Sequence, residues 1–342
     1  MRLYNQMNRV LTHKVLGTVA VFFLAVCVWI PVNVAQAQST PAIYPYQGTF
    51  DWAQLPNGRT WGAPTGVEMD PDQKTLWVLE RCGDYSGPGC AESDLPAVLK
   101  FDNSGRLLQS FGAGMFIFPH GLAIDHEGYV WVVDGRGQGG KGHTVTKFSP
   151  DGELLMTLGQ PGVAGEGPYT FNRPSDVAIA ANGDIFVADG HSGMDTNMRI
   201  VKYSKDGAFI KQWGKKGAAP GELDGAHGLA FDSRGRLFVA DRGNSRVQIF
   251  DQDGGFIDSW TQFGEPSGLF ISPDDVLYVA DLAEGIRIGS ARDGSVATYI
   301  KAPAPESGGA ARVAESVAVD AQGNIYGGEN AGMKLMRFSS TH

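Results

Sequence analysis

Ile185-Phe186-Val187-Ala188-Asp189, Leu237-Phe238-Val239-Ala240-Asp241 and Leu277-Tyr278-Val279-Ala280-Asp281 are copies of one phrase: apolar, aromatic, two small or apolar residues, acid. The same phrase stands earlier as Leu76-Trp77-Val78-Leu79-Glu80 and Val130-Trp131-Val132-Val133-Asp134, and returns weakened as Ile325-Tyr326-Gly327-Gly328-Glu329. Six copies spaced by roughly 40–55 residues mark a repeat architecture, in which each unit is one small sheet packed against its neighbours.

Working outward from the acids, a second position recurs 13 residues upstream (14 in the first copy): Gly66, Gly121, Asp176, Gly228, Gly268 and Ser316. An apolar strand follows each, then a polar turn such as His126-Glu127-Gly128. Downstream, Val145–Phe148 leads through Asp151-Gly152 to Leu154–Leu158, and Arg199–Tyr203 leads through Asp206-Gly207 to Phe209–Trp213. Arg246–Phe250 leads likewise through Asp253-Gly254 to Phe256–Trp260. Asp-Gly between apolar runs is a hairpin signal, because glycine accepts the positive φ that tight turns need.

Four antiparallel strands per unit, six units, is the pattern of an all-β six-bladed β-propeller. The last unit ends at Phe338 after three strands, while a spare strand, Tyr46–Trp52, precedes the first unit. The N-terminal strand is therefore expected to complete the last blade and close the ring, leaving no open edge between blades. Residues 38–342 read as a single domain, with the repeats over 42–338. The 47 glycines fit many tight turns, and with no Gly-X-Y period they exclude a collagen-like chain.

Residues 1–37 read as a secretory signal peptide. Arg2, Arg9 and Lys14 precede an apolar run, Val15–Ile30, and Ala35-Gln36-Ala37 supplies a small-residue cleavage site. The alternative is a membrane anchor, for which a 16-residue run is short against a span of about 20. Cleavage predicts a secreted or periplasmic protein with no membrane attachment. It takes the charge count from 28 against 37 to 25 against 37, a balance of −12. Such acidity argues against nucleic acid as a partner. Cys82 and Cys90 remain in an oxidising compartment and read as a disulfide stiffening a turn-rich loop.

The topology predicts a functional face. The long connections Arg81–Pro96, Gly135–Thr144, Gln160–Arg173 and Gly190–Met198 all open on one side and read as irregular loops. The residues just before the strand-one anchors, Thr65, His120, Ser175, His227, Ser267 and Glu315, should ring the channel mouth there. His120, His227 and Glu315 come from alternate blades, about 120° apart, and make a candidate site for zinc or another divalent transition metal. The alternative is that the two histidines are bonded to neighbouring blades without a metal.

Phe118-Pro119-His120-Gly121-Leu122 and Ala226-His227-Gly228-Leu229 resemble the NHL repeat motif. With Phe171-Asn172-Arg173-Pro174-Ser175-Asp176, Pro220-Gly221-Glu222-Leu223 and Val239-Ala240-Asp241-Arg242-Gly243-Asn244, the run from Phe111 to Phe250 resembles the peptidyl-α-hydroxyglycine α-amidating lyases. That resemblance implies a catalytic zinc on three histidines, two of which match His120 and His227, with Glu315 where the third is expected. It implies a structural calcium on the backbone carbonyls of Val67 and Leu122, with Ser316 in place of an Asp. It also implies a pair of active-site arginines, Arg242 and Arg81, and a catalytic Tyr whose position here holds His191. A substrate bearing a carboxylate, small molecule or peptide, would be cleaved at a C–N bond to an amide and glyoxylate by a monomeric protein. Two alternatives stand beside this reading: a metal-dependent propeller hydrolase or lactonase, and a non-catalytic NHL binding module.

Overall fold

The computed structural model describes residues 42–43, 46–50, 52–301, 315–329 and 332–340. The signal-peptide reading of residues 1–37 lies outside them. The described residues form six sheets, each antiparallel through its four core strands. The first four blades have strand-one segments Pro64–Met69, Pro119–Ile124, Pro174–Ile179 and Ala226–Phe231; Pro266–Ile271 and Val317–Val319 open the fifth and sixth. The protein is a six-bladed β-propeller. Among the described residues no helix is long and apolar enough to cross a membrane.

Ring closure follows the expected route. Tyr46–Thr49 pairs antiparallel with Lys334–Ser340, Tyr46 opposite Ser340, and becomes the outer strand of the sixth blade. Upstream, Ala42–Ile43 adds a short parallel fifth strand to blade five against Thr298–Tyr299, which no apolar pattern announced. The Asp-Gly hairpins hold Gly152, Gly207 and Gly254 at φ of 88°, 81° and 81°, as the turn chemistry requires.

One connection departs from the sequence reading. Gly135–Thr144 is not an irregular loop: strands Val130–Gln138 and Lys141–Phe148 run on as a paired arm, with Gln138 opposite Lys141 and Gly139-Gly140 at the tip. Five glycines between 135 and 142 erase the alternation by which a strand is recognised, while the backbone ladder forms regardless.

The core is six apolar wedges, one between each pair of neighbouring blades. The aromatic of the repeated phrase feeds them: Trp77, Trp131, Phe186, Phe238 and Tyr326 are at most 2% exposed. The closing wedge joins Val67, Leu76 and Phe101 of blade one to Ala318, Tyr326 and Leu335 of blade six. The acid of the phrase is buried too, and it acts on the loops. Asp134 accepts from the backbone N–H of Ile117 and Phe118 at 2.8 and 2.6 Å. Asp189 takes Asn172 N–H, Asp241 takes Asp224 N–H, and Asp281 takes Glu265 N–H. Each acid ties the end of strand two to the chain entering strand one.

This role predicts a contrast. Asp241→Ala strands Arg246, Asn244, Gln248 and Asp224 N–H without their acceptor, and should cost about 3–5 kcal/mol. Asp206→Ala, on an exposed hairpin, should change stability by less than about 0.5 kcal/mol. Urea-unfolding midpoints of the two variants test the difference.

Candidate functional site

Two residues after the N–H groups pinned by Asp134 comes His120, and three after Asp224 comes His227. Each is followed by a glycine for a steric reason. A Cβ on Gly121 would lie 2.5 Å from the Ser175 carbonyl oxygen, and one on Gly228 would lie 2.5 Å from that of Ser267. The close approach brings each carbonyl to the preceding histidine. His120 Nδ1 donates to Ser175 O at 2.8 Å and His227 Nδ1 to Ser267 O at 3.2 Å. A carbonyl only accepts, so the His120 ring carries its proton on Nδ1 and presents an Nε2 lone pair, while His227 Nδ1 also lies 3.1 Å from Ser267 Oγ, a hydroxyl that can donate to it. At the odd-numbered blades the equivalent positions are hydroxyls. Thr65 Oγ1 donates to Pro119 O, Ser175 Oγ to Ala226 O, and Ser267 Oγ to Glu315 Oε2.

The structure brings His120, His227 and Glu315 together, and adds His191. Ring nitrogens of His120, His191 and His227 lie within 4.8 Å of one another. Glu315 Oε2 stands 3.0 Å from His227 Nε2 and 3.7 Å from Arg242 Nη1. His191 reaches the trio from the loop after blade three's second strand, beside blades two and four. The direction of a loop side chain is not encoded in strand periodicity, so spacing pointed to Glu315 as third ligand, while the resemblance placed His191 at the position of the catalytic Tyr. In the structure His191 Nδ1 donates to Ser192 O, and its Nε2 accepts from Arg242 Nη2 at 3.0 Å.

The electrostatics favour neutral imidazoles. Burial, then His227, holds His120 well below the ordinary histidine value. Burial, then Arg242, lowers His227. Burial, then His227 and Arg242, pushes His191 down to about 3. Burial alone would raise Glu315, but beside His227, Arg242 and His120 it is held well below the usual carboxylate range. His227 Nε2 thus lies buried 3.0 Å from the Glu315 carboxylate, a distance that suits either donation from the ring or a cation joining the two. With the His227 proton on Nδ1, the two groups are facing acceptors and suit a cation between or beside them. Ligands on a tetrahedral zinc at ~2.0–2.1 Å lie about 3.3 Å apart, so the pair fits such an ion.

Arg81 and Arg242 reach the same cavity, of about 290 Å³. Arg81 is 4% exposed, donates to Pro119 O and Tyr85 O, and is pushed down to about 10 by burial. It begins the loop closed by the Cys82–Cys90 disulfide. Sequence reasoning missed Arg136 and Arg173, which line the cavity too. Their signal was arginine in a glycine arm and in a pre-strand loop, where no motif marks it. Deeper in the channel, Leu122 and Ser316 line a space of about 30 Å³ with Glu68 and Asp176, while the Val67 side chain is buried in the wedge closing blades one and six.

Residues 171–203 and 223–250, which carry strands one to three of blades three and four, match the NHL repeat. The six-bladed propeller thus carries NHL repeats in blades three and four, and His191 and His227 lie inside the matched segments. Human NHL repeat-containing protein 3 is 36% identical over 199 residues, 55% of this chain and 56% of that protein. The probable peptidyl-alpha-hydroxyglycine alpha-amidating lyase pgal-1 of Caenorhabditis elegans is 39% identical over 198 residues, 57% of this chain and 50% of that protein. The chain thus spans little more than half the length of these relatives. Among solved structures, a gluconolactonase from Xanthomonas campestris superposes with TM-score 0.59 at 17% identity, over 87% of this chain and 97% of that one. That likeness is one of fold.

Two outcomes test the site. Gly121→Ala drives a Cβ into the Ser175 carbonyl and should cost about 1–3 kcal/mol by urea unfolding. In chelator-treated protein, imidazoles with depressed folded pKa values stabilise above the unfolded value of about 6.5 and lose that contribution as pH falls. His191, at about 3, should account for about 2 kcal/mol lost between pH 6.5 and 5, and His191→Gln should remove that share of the drop.

Proposed function

We propose that the protein is a metal-dependent C–N lyase acting on peptidyl-α-hydroxyglycine-like carbinolamides outside the cytoplasm. The observation that carries this reading is the convergence of His120, His191 and His227 with Glu315, Arg81 and Arg242 around one cavity. The lyase name of the nematode relative supports it, and the Cys82–Cys90 disulfide fits an oxidising compartment.

His120 and His227 would hold zinc or another divalent transition metal with Glu315 at its edge, and His191 would join as a third ligand only by exchanging its Nε2 bond to Arg242 for the metal. Bound there, the metal supplies Lewis acidity toward a substrate hydroxyl oxygen. Arg242 and Arg81 hold the substrate carboxylate, a task suited to the guanidinium fork. Glu315 takes the hydroxyl proton. The hydroxyl electron pair becomes the carbonyl of glyoxylate as the C–N bond breaks, and the bonding pair leaves on nitrogen. Because Glu315 is held well below the usual range, its protonated form is a strong acid and returns the proton to the departing amide nitrogen.

Incubation of the purified protein with an N-acyl-α-hydroxyglycine, with and without zinc, should release glyoxylate and the amide. One transition metal per chain should be lost in both His120→Ala and His227→Ala. Glu315→Gln should keep the metal yet lose at least about 100-fold in kcat. No metal in the parent protein, or no glyoxylate at high enzyme concentration, would remove the lyase assignment.

A further inference from the structure

The cavity beside the histidines carries more positive charge than one substrate carboxylate uses. Arg81, Arg136, Arg173 and Arg242 line it against two carboxylates, Glu265 and Glu315, on a chain whose net charge is −9. Arg242 is engaged by His191, Ser192 and Glu315, and Arg81 by two carbonyls. Arg136 and Arg173 differ: among the described residues neither makes an ion pair with a carboxylate.

Arg136 donates to Ser86 O at 2.9 Å, and its Nε is buried with no partner. Its guanidinium carbon lies 3.8 Å from the Phe118 ring centroid, and that of Arg81 lies 3.8 Å from the same centroid. Burial lowers Arg136, with Asp84 opposing, and burial then Arg136 lowers Arg173. Crowding part-buried cations costs free energy that a ligand anion would offset.

The two arginines stand where the inner cavity meets a second one of about 520 Å³, walled by the blade-two arm and the loop after blade three's second strand. The Arg173 backbone is fixed there, at φ +64° with its N–H donating to His143 Nδ1 of the arm. Asp195 lines the outer cavity.

We infer that Arg136 and Arg173 form a second anion subsite, one step outward from the reacting centre, that reads an acidic side chain on the residue preceding the hydroxyglycine-like unit. The placement of that residue rests on the lyase reading; the subsite itself does not. An extended chain with its C-terminal carboxylate on Arg81 and Arg242 runs from the inner cavity into the outer one, past these two arginines.

The test uses Ala-Glu-Gly, Ala-Gln-Gly and Ala-Lys-Gly, which lack the hydroxyl and are not turned over, in calorimetric titrations at fixed ionic strength. The Glu peptide should bind at least about 10-fold tighter than the Gln peptide, and the Lys peptide weakest. Arg136→Gln and Arg173→Gln should each bring the Glu-to-Gln ratio close to one. The kcat/KM values of the corresponding α-hydroxyglycine peptides should follow the same order. Equal affinities for the three peptides overturn the subsite, even if all three hydroxylated peptides yield glyoxylate. Preference for the Glu peptide without glyoxylate from any substrate upholds the subsite and removes the lyase reading.

Discussion

A buried carboxylate at the end of the second strand in blades one to five is the constraint on which the rest depends. Glu80, Asp134, Asp189, Asp241 and Asp281 are at most 1% exposed. Such groups persist inside a protein only when their acceptor capacity is filled. Each is filled by backbone N–H groups of the segment entering strand one, and in blades three to five by an arginine of strand three as well. The result is a rigid knot at the functional end of each of these five blades. The wedges between blades hold the ring; the knots hold the loops that the ring displays.

The channel mouth is built on those knots by close packing. Glycine at the anchors of blades two and four lets the next blade's carbonyl reach the histidine before it. At His120 one steric fact thereby fixes two chemical ones: which ring nitrogen carries the proton, and that the other presents its lone pair. The same carbonyl bonds orient the rings as supporting partners orient ligands in metal sites. The arginines sit outside this shell, on the disulfide-closed loop, the glycine arm and the pre-strand segments, where the scaffold offers surface rather than core.

The fold was legible because its signals are local and repeated. The alternation of apolar residues, the acid after the aromatic, and Asp-Gly between strands each reflect a physical requirement of one blade, stated several times over. His120, His227 and Arg242 were legible for the same reason, since each occupies a fixed offset from a strand. His191 was visible as a site residue but not as a neighbour of the other two ring nitrogens. Arg136 and Arg173 carried no role in the sequence, although Arg173 stands inside a matched phrase, and the glycine-rich arm passed for a loop because it buries no alternating face.

The sequence by itself determined the six-bladed ring, the strand that closes it and the recurring frame of acid and strand-one anchor, because those depend on contacts within one repeat or between adjacent ones. Only the tertiary structure decided that a third imidazole joins two others, that Glu315 faces His227 Nε2, and that four arginines crowd one cavity. Those groups come from loops of different blades, far apart along the chain. Their meeting depends on where the closed ring points each loop, which no spacing in one dimension records.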